Sequence, residues 1–149
     1  MNVSLSPVSG ANVRGVCELE LADGQEHLVA PASFTVAEGH YLPGAILRAI
    51  SADDEVVGVL LVEMEEGEVP YLVRFMIDAS RQRQGIGQPA VELLVAELQQ
   101  LGCAALETSF KPVVGGSEGF WRACGFADTG RRKSNGSPIF VRRLTPAAS

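Results

Sequence analysis

The chain has 149 residues, of which 46% are hydrophobic, and carries a formal net charge of −6 at pH 7. Its length predicts one domain, residues 1–149, with a buried core, and its negative charge argues against nucleic-acid binding. Its apolar runs are shorter than the ~20 residues of a membrane span, and no apolar stretch follows a basic cluster at the start, so we expect a cytoplasmic protein without a signal peptide.

The first half of the sequence predicts a strand, two helices and an antiparallel meander. VSLSPV at 3–8 is typical of a short strand, after which Ser9 or Asn12 caps a helix that extends to about Leu21. PASFTVAEGHYLPG at 31–44 predicts a second short helix. Three β-rich runs joined by tight polar turns follow at 45–50, 55–64 and 70–77.

The second half predicts a long helix, then alternating strands and helices. Apolar residues at helical spacing from Val91 to Leu101 indicate a helix, with Gly102 at its C′ position. We expect a type I′ turn at Asn135 and Gly136 within a final hairpin. Three strands, a crossover helix and further strands predict a mixed sheet. The remaining elements are a strand at 103–110, a helix at 117–124 and hairpin strands at 126–133 and 138–144.

The stretch QRQGIGQ at 82–88 precedes the long helix and is suited to binding an anion. Gly85 and Gly87 let the backbone approach a ligand closely, and the helix start offers unpaired N–H groups. Arg81 and Arg83 add positive charge. An ordinary strand-to-helix turn would also use such glycines, so this motif alone leaves both interpretations open.

Two known phosphate loops do not fit this stretch. A Walker A motif requires Lys and Ser or Thr after the last glycine, where this chain has Gln88 and Pro89. The spacing G-x-G-x-x-A also matches a dinucleotide-binding fingerprint. An antiparallel meander precedes it, however, and only 42 residues follow Glu107, too few for the rest of a doubly wound sheet.

The segment IDASRQRQGIGQPAVELL at 77–94 resembles the acetyl-CoA motif of the GNAT superfamily of N-acetyltransferases, with Gln82, Gly85 and Gly87 at the motif positions. The segments YLVRFMIDASRQ, SEGFWRACGFADTG and HLVAPASFTVAEGHYLPGA are similar to the strand, closing segment and acceptor region of the spermidine and diamine acetyltransferases. The resemblance covers most of the chain. It implies an α/β (α+β) GNAT-type fold, with a mixed, mostly antiparallel sheet of six to seven strands and about four helices.

The resemblance also implies a binding site for acetyl-CoA as cosubstrate. The glycine loop would hold the pyrophosphate, and the preceding strand would pair with the pantetheine arm. Arg81, Arg83 and Arg122 are candidates for the 3′-phosphate, whereas Pro89 departs from the family pattern and removes one N–H. The implied coenzyme A residues are Phe75, Met76, Ile77, Gln82, Arg83, Gln84, Gly85, Ile86, Gly87 and Gln88.

Acetyl transfer to an amine requires a base, because an alkylammonium with a pKa near 10.4 is almost fully protonated at neutral pH. Glu63, at the end of the third β run of the chain, is our candidate for this base. A surface position would equally explain each available carboxylate. The other carboxylates in suitable segments are Glu18, Glu20, Glu38 and Glu107.

The departing thiolate usually takes its proton from a tyrosine in the family's closing segment. This chain has FWRACGF there, which places Trp121 at the tyrosine position. An indole N–H donates a hydrogen bond but is not an acid. We therefore expect Trp121 to lie in the catalytic region without acting as the acid. Either another group or water protonates the thiolate, or the thiolate leaves unprotonated, or catalysis is slow. Cys124, a conceivable nucleophile, is interpreted as a buried structural thiol.

The acceptor is expected to be a small cationic amine such as a polyamine. Residues 1–70 hold 12 acidic and 2 basic residues, whereas residues 71–149 hold 6 and 10, and the acidic part would favour a cation. Candidate acceptor-binding residues are Glu38, Tyr41 and Ser109. A catalytically weak acyl-CoA sensor and a protein N-acetyltransferase are alternatives, and a homodimer is plausible by analogy.

Cysteine and histidine patterns predict neither disulfides nor a metal site. Cys17, Cys103 and Cys124 are widely separated and form no CxxC pair. His27 and His40 lack a partner at HxxxH or HxH spacing. We expect the cysteines to be free thiols and the histidines to be surface or packing residues.

Overall fold

The computed structural model describes residues 1–21, 31–113 and 116–147, so His27 lies outside the described residues. The described part forms seven strands and four α-helices in the order that the sequence predicts. None of its helices is long and apolar enough to cross a membrane. The elements are β1 (Val3–Pro7), α1 (Val13–Cys17), α2 (Ala32–Gly39), β2 (Ile46–Ala52), β3 (Glu55–Glu63), β4 (Tyr71–Ile77), α3 (Gly87–Gln100), β5 (Ala105–Ser109), α4 (Glu118–Ala123), β6 (Ala127–Arg132) and β7 (Pro138–Arg143).

The strands form one mixed sheet in the order β1-β2-β3-β4-β5-β7-β6. Strands β1 to β4 are an antiparallel meander, and β4 and β5 are parallel, because α3 crosses between them. The final hairpin inserts β7 between β5 and β6. The expected mixed, mostly antiparallel sheet of six to seven strands is confirmed.

Apolar side chains cover both faces of the sheet. On one face, Leu94 and Leu98 of α3 pack with Leu60 of β3 and Leu106 of β5. On the other, residues of α1 and α2 pack with β2, β3 and β4, and Val16 of α1 is fully buried. Burial on both faces explains why β3 is a nearly continuous apolar run instead of an alternating one.

Helix α1 is shorter than the sequence predicts. It ends at Cys17 instead of about Leu21. Asn12 occupies the N-cap position without capping the helix through its side chain, which instead accepts a 2.8 Å hydrogen bond from the Ser9 N–H and donates one to the Pro7 carbonyl. These bonds stabilise the turn between β1 and α1, so the polar pattern there reflects a turn.

The prediction of a type I′ turn at Asn135 and Gly136 is wrong. Gly136 has a positive φ of 88°, but the φ angle of Asn135 is not positive. The Lys133 carbonyl accepts a hydrogen bond from the Gly136 N–H, as in an ordinary turn. The two successive positive φ angles that a type I′ turn requires occur between β2 and β3, at Asp53 and Asp54. Aspartate tolerates this backbone region better than most residues.

Substitution of Gly58 tests how tightly the central strands pack. A Cβ atom at this buried position on β3 would lie 2.4 Å from the Met76 carbonyl oxygen on β4. We expect Gly58→Ala to lower the free energy of unfolding by about 1–3 kcal/mol, as over-packing does. Urea denaturation measures the change. Gly10→Ala is the control, because its Cβ meets nothing within 4 Å. Equal stability of the two variants would contradict the packing argument.

Candidate functional site: the cleft between β4 and β5

Strands β4 and β5 separate after a very short paired stretch. Their register joins only Tyr71 with Glu107 and Leu72 with Thr108. Beyond these pairs β4 continues to Ile77, and along the edge that faces β5 none of the described residues forms a partner strand. Peptide groups at such an edge remain available to a ligand that extends along the strand.

A β-bulge interrupts the other side of β4 at the same point. Leu61 of β3 pairs with Arg74, and the next residue, Val62, pairs with Leu72, so Val73 is the extra residue of the bulge. The bulge shifts the alternation of side chains along β4. Leu72 consequently packs in the cluster with α3, whereas Met76, four residues later, packs in the cluster with α1 and α2.

The separated strands form one wall of a cleft of about 1040 Å³. The cleft reaches from the glycine loop before α3, along β4, to the hairpin between β6 and β7. The walls are contributed by residues 71–77, the loop at 81–88, residues 108–111 at the end of β5, α4, and the hairpin residues Lys133, Asn135 and Ser137.

The glycine loop bends sharply before α3 begins. Arg83 and Gly85 have positive φ angles of 63° and 77°, and a Cβ atom at Gly85 would meet nothing within 4 Å. The Gln82 side chain donates a 3.1 Å hydrogen bond to the Ile77 carbonyl at the end of β4. No side chain caps α3, whose N-cap residue is Ile86. The first N–H groups of α3 are thus left for an anion, as helix starts allow.

The second glycine of the loop has a packing role. A Cβ atom at Gly87 would lie 2.7 Å from the edge of the Phe120 ring on α4. The absence of a side chain therefore lets α3 start directly against α4. Gly85 thus permits the backbone turn, and Gly87 permits the contact between the two helices.

Asp78 attaches this loop to the segment after α1. Its carboxylate accepts a 2.7 Å hydrogen bond from the Glu20 N–H and another from the Ser80 N–H. Burial by itself would raise the pKa of Asp78, but the hydrogen bonds from Ser80 and Glu20 outweigh burial and hold the pKa below its usual range. The carboxylate form therefore organises the start of the loop at neutral pH.

Nine of the ten residues assigned to coenzyme A from the resemblance line the cleft. Gln84 is the exception. Its side chain accepts a 2.9 Å hydrogen bond from Arg81 and donates one to the Ser80 carbonyl, so it stabilises the loop from outside. Arg81 lines the cleft but is ion-paired with Glu55 at 2.8 Å. Among the described residues, Arg83 has no such partner.

Trp121 is part of an aromatic cluster in the cleft wall. The side chain is 5% exposed, and its ring lies edge-on to those of Phe75, Phe120 and Phe126, with centroids 4.8–5.5 Å apart. These contacts connect β4 with α4. The structure gives Trp121 a packing role beside the cleft, which the sequence pattern alone does not reveal.

The residues expected from sequence for catalysis and acceptor binding are dispersed. Ser109 lines the cleft. Glu38 lies outside it and is ion-paired with Arg74 at 3.3 Å, while Tyr41 is 86% exposed and also lies outside. Glu63 lies opposite Tyr71 in the β3–β4 register and therefore on the same face of the sheet, although it does not line the cleft.

Arg122, another candidate for the 3′-phosphate, makes contacts outside the cleft. Its guanidinium is ion-paired with Glu118 at 2.9 Å and lies 4.9 Å from the centre of the Phe140 ring. It does not line the cleft. Both partners are local, so Arg122 supports α4 and the neighbouring hairpin.

Sequence reasoning missed Tyr71 and Lys133 as site residues. The Tyr71 and Ser109 hydroxyls are hydrogen-bonded to each other, and Lys133 Nζ donates a 3.2 Å hydrogen bond to the Tyr71 hydroxyl. All three side chains line the cleft. No spacing along the chain connects positions 71, 109 and 133, because strand pairing alone brings them together.

The described residues supply neither a metal-binding group nor an activated thiol in this region. Among the described residues, no three His, Cys, Asp or Glu side chains group in a way that would hold a metal ion. Burial raises the pKa of the Cys124 thiol to about 11; Glu92 adds to this shift and Arg142 opposes it. A thiol with this pKa is a poor nucleophile at neutral pH.

Solved acetyltransferases share this fold over nearly the whole chain. One from Thermus thermophilus has a TM-score of 0.79 at 19% identity and covers 97% of this chain and 98% of its own. An aminoglycoside 6′-N-acetyltransferase complexed with coenzyme A has a TM-score of 0.76 at 16% identity, with 100% of both chains covered. A ribosomal-protein alanine N-acetyltransferase from Escherichia coli has a TM-score of 0.73 at 15% identity, covering 99% and 97%. At these identities the likeness establishes the fold alone.

A family model assigns the chain to a family, which the likeness in fold alone does not do. The model described as "Acetyltransferase (GNAT) family" matches residues 16–126. The chain therefore belongs to the GNAT family of acetyl-CoA-dependent N-acetyltransferases, as the glycine-loop resemblance predicted. The narrower resemblance to spermidine and diamine acetyltransferases stays a prediction. No protein of curated function matches the sequence.

Alkylation tests whether Cys124 is as unreactive as its surroundings imply. We expect iodoacetamide at about pH 8 to modify the exposed Cys17 well before Cys124, because the thiolate is the reacting form. Peptide mass spectrometry measures the extent at each site. Alkylation of unfolded protein is the control, in which both sites react. Faster reaction of Cys124 than of Cys17 in the folded protein would revive a nucleophilic role.

Proposed function

We propose that this chain transfers the acetyl group of acetyl-CoA to a small amine in the cleft between β4 and β5. The observation that carries this proposal is the joint position of the unpaired edge of β4 and the glycine loop along one cleft. An extended thioester with a phosphate group at one end needs both features. The family assignment supports the same chemistry.

Coenzyme A is proposed to follow the cleft from the glycine loop towards the bulge. The N–H groups of residues 83–88 and the uncapped start of α3 bind the pyrophosphate, and the Arg83 guanidinium adds charge. The unpaired backbone of Phe75, Met76 and Ile77 pairs with the pantetheine arm. Pro89 contributes no N–H, so the phosphate contacts precede it.

The reaction forms a bond between the amine nitrogen and the acetyl carbon and breaks the carbon–sulfur bond. The nitrogen loses a proton, and the departing thiolate takes one up. We propose Glu63 as the base, acting through water, since its register opposite Tyr71 places it on the sheet face beside the end of the cleft. A backbone N–H at the β4 bulge is the proposed donor to the carbonyl oxygen.

Tyr71 is the proposed source of the proton for the thiolate. The chain has two tyrosines, and Tyr41 is exposed outside the cleft, whereas Tyr71 lines it. Tyr71 lies two residues before Val73, a separation of about 7 Å along a strand. The Tyr71 phenol would therefore supply the proton that the Trp121 indole cannot supply.

The acceptor is proposed to be a small amine, and the charges in the cleft do not favour a polyamine. The expectation of a polyamine rested on the acidic first half of the sequence. Among the described residues that line the cleft there is no carboxylate, whereas five basic side chains are present: Arg74, Arg81, Arg83, Lys111 and Lys133.

A thiol-release assay tests the proposed function. Purified protein and acetyl-CoA are incubated with polyamines, amino acids, aminoglycosides and peptides, after calorimetry has measured acetyl-CoA binding. Release of coenzyme A with one class of amine would support the proposal. Binding without turnover on any acceptor would favour the acyl-CoA sensor instead, and turnover on peptides alone would favour a protein N-acetyltransferase.

Substitution of Gly85 tests the pyrophosphate loop. We expect Gly85→Ala to weaken acetyl-CoA binding at least tenfold, because the positive φ is strained for alanine and relief of this strain would displace the N–H groups of the loop. Gly102→Ala is a matched control: Gly102 has a φ of 83° and equally open surroundings, but lies after the other end of α3. Both variants lose similar stability. Equal loss of binding, measured by calorimetry, would contradict the loop assignment.

Substitution of Glu63 tests the proposed base. We expect Glu63→Gln to lower kcat by about 10²–10⁴-fold, the usual contribution of a general base. Acetyl-CoA affinity should be unchanged. Glu65→Gln is the control, because Glu65 is exposed in the turn after β3. A Glu63→Gln variant with the same kcat as the Glu65→Gln variant would exclude this role.

A further inference from the structure

Three polar side chains from separate parts of the chain meet at the end of the cleft farthest from the glycine loop. Tyr71 begins β4, Ser109 ends β5, and Lys133 follows β6. Lys133 Nζ lies 3.2 Å from the Tyr71 hydroxyl and 5.2 Å from the centre of the Tyr71 ring, and the Tyr71 and Ser109 hydroxyls are hydrogen-bonded. We call the Lys133 ammonium and the Tyr71 and Ser109 hydroxyls the Lys133 cluster.

Within the ranges that the structure describes, no carboxylate neutralises the charge of Lys133. Its sequence neighbours Arg131 and Arg132 are ion-paired with Glu107 and Asp128. No ion pair joins Lys133 to an acidic residue within the described part of the chain, and Glu63, on the same face, makes none with it. The Lys133 cluster therefore presents an uncompensated positive charge to the cleft.

Coenzyme A phosphates do not account for this charge. Tyr71 and Ile77 are six residues apart on β4, which corresponds to about 20 Å. The glycine loop lies beyond Ile77 and has its own cation, Arg83, which is ion-paired with no described residue. A pyrophosphate held at the loop is thus far from the Lys133 cluster, which remains available to another anion.

We propose that the acceptor is an amine that also carries an anionic group, a carboxylate or a phosphonate, and that the Lys133 cluster binds this group. This inference rests on the proposed function. The Lys133 ammonium and the Ser109 hydroxyl are donors suited to an oxyanion, and the Tyr71 hydroxyl between them keeps its proton for the thiolate. Glu63, opposite Tyr71, is on the same face to receive the proton of the amine. The site is thus complementary to a zwitterion, with opposite charges for its two ends.

Paired acceptors of equal length test this inference. Thiol release is measured with ω-amino acids, with the aminoalkylphosphonates of matching length, and with the corresponding diamines. We expect kcat/KM to be higher for one or both anionic series than for the diamines. A higher value for carboxylates or for phosphonates identifies which anion the site prefers.

Variants at Lys133 give the decisive comparison. We expect Lys133→Met to lower kcat/KM for the anionic acceptors by about tenfold, mainly through KM, because the variant loses a charge-assisted hydrogen bond to the bound anion. The ratio of kcat/KM for the anionic acceptors to kcat/KM for the diamines should therefore fall, and Lys133→Glu should reverse the preference. Arg132→Met is the matched control, because Arg132 is adjacent, exposed and paired with Asp128.

The outcomes separate failure of this inference from failure of the proposed function. Turnover that favours diamines overturns the anionic acceptor, and an anionic preference that survives Lys133→Met overturns its assignment to the Lys133 cluster. Both outcomes leave the acetyltransferase intact. Acetyl-CoA binding with no turnover on any amine overturns both. Acetyl-CoA affinity that falls in Lys133→Met also overturns the inference, because it would place Lys133 on the cosubstrate.

Discussion

The early separation of β4 from β5 is the constraint on which the rest of the site depends. Parallel strands normally continue to pair, and unpaired peptide groups within a sheet are costly unless water or a ligand satisfies them. Here pairing ends at Leu72 and Thr108, and the bulge at Val73 turns β4 at the same point. The edge-on rings of Phe75 and Trp121 then join β4 to α4. The opening is thus a consequence of packing, and it exposes a strand edge suited to an extended cosubstrate.

The distribution of ion pairs gives the charge asymmetry of the sequence a structural explanation. Acidic residues of the first half neutralise arginines of the second half across the fold, as Glu55 does for Arg81 and Glu38 for Arg74. These pairs are partly exposed, and each stabilises the fold only modestly. Their effect on the cleft is larger, because they pair Arg81 and Arg74, whereas Arg83 and Lys133 form no ion pair with a described residue. A net charge of −6 therefore coexists with a cleft whose described lining is basic.

The structure changes the interpretation of the tryptophan that replaces the family's tyrosine. In the sequence, Trp121 suggests a missing acid and hence a weak or sensory protein. In the structure the indole fills the space between Phe75, Phe120 and Phe126, so its bulk is used for packing. A phenol from another element, Tyr71, lines the same cleft. Loss of an acid at one position and presence of one at another are compatible with an active enzyme.

The order of the elements, the glycine loop and the coenzyme A side of the cleft follow from the sequence, because helical periodicity, turn residues and the N–H groups of a helix start act over a few neighbouring positions. The acceptor side of the cleft does not follow from the sequence. Glu38 and Tyr41 look suitable in a linear pattern, yet one is ion-paired outside the cleft and the other is solvent-exposed. Tyr71, Ser109 and Lys133 carry no common signal, since the register of β4, β5 and β7 decides that they meet. Short stretches of sequence determine local features such as helices, turns and the glycine loop. Contacts between distant residues depend instead on strand pairing and on the packing of the complete fold.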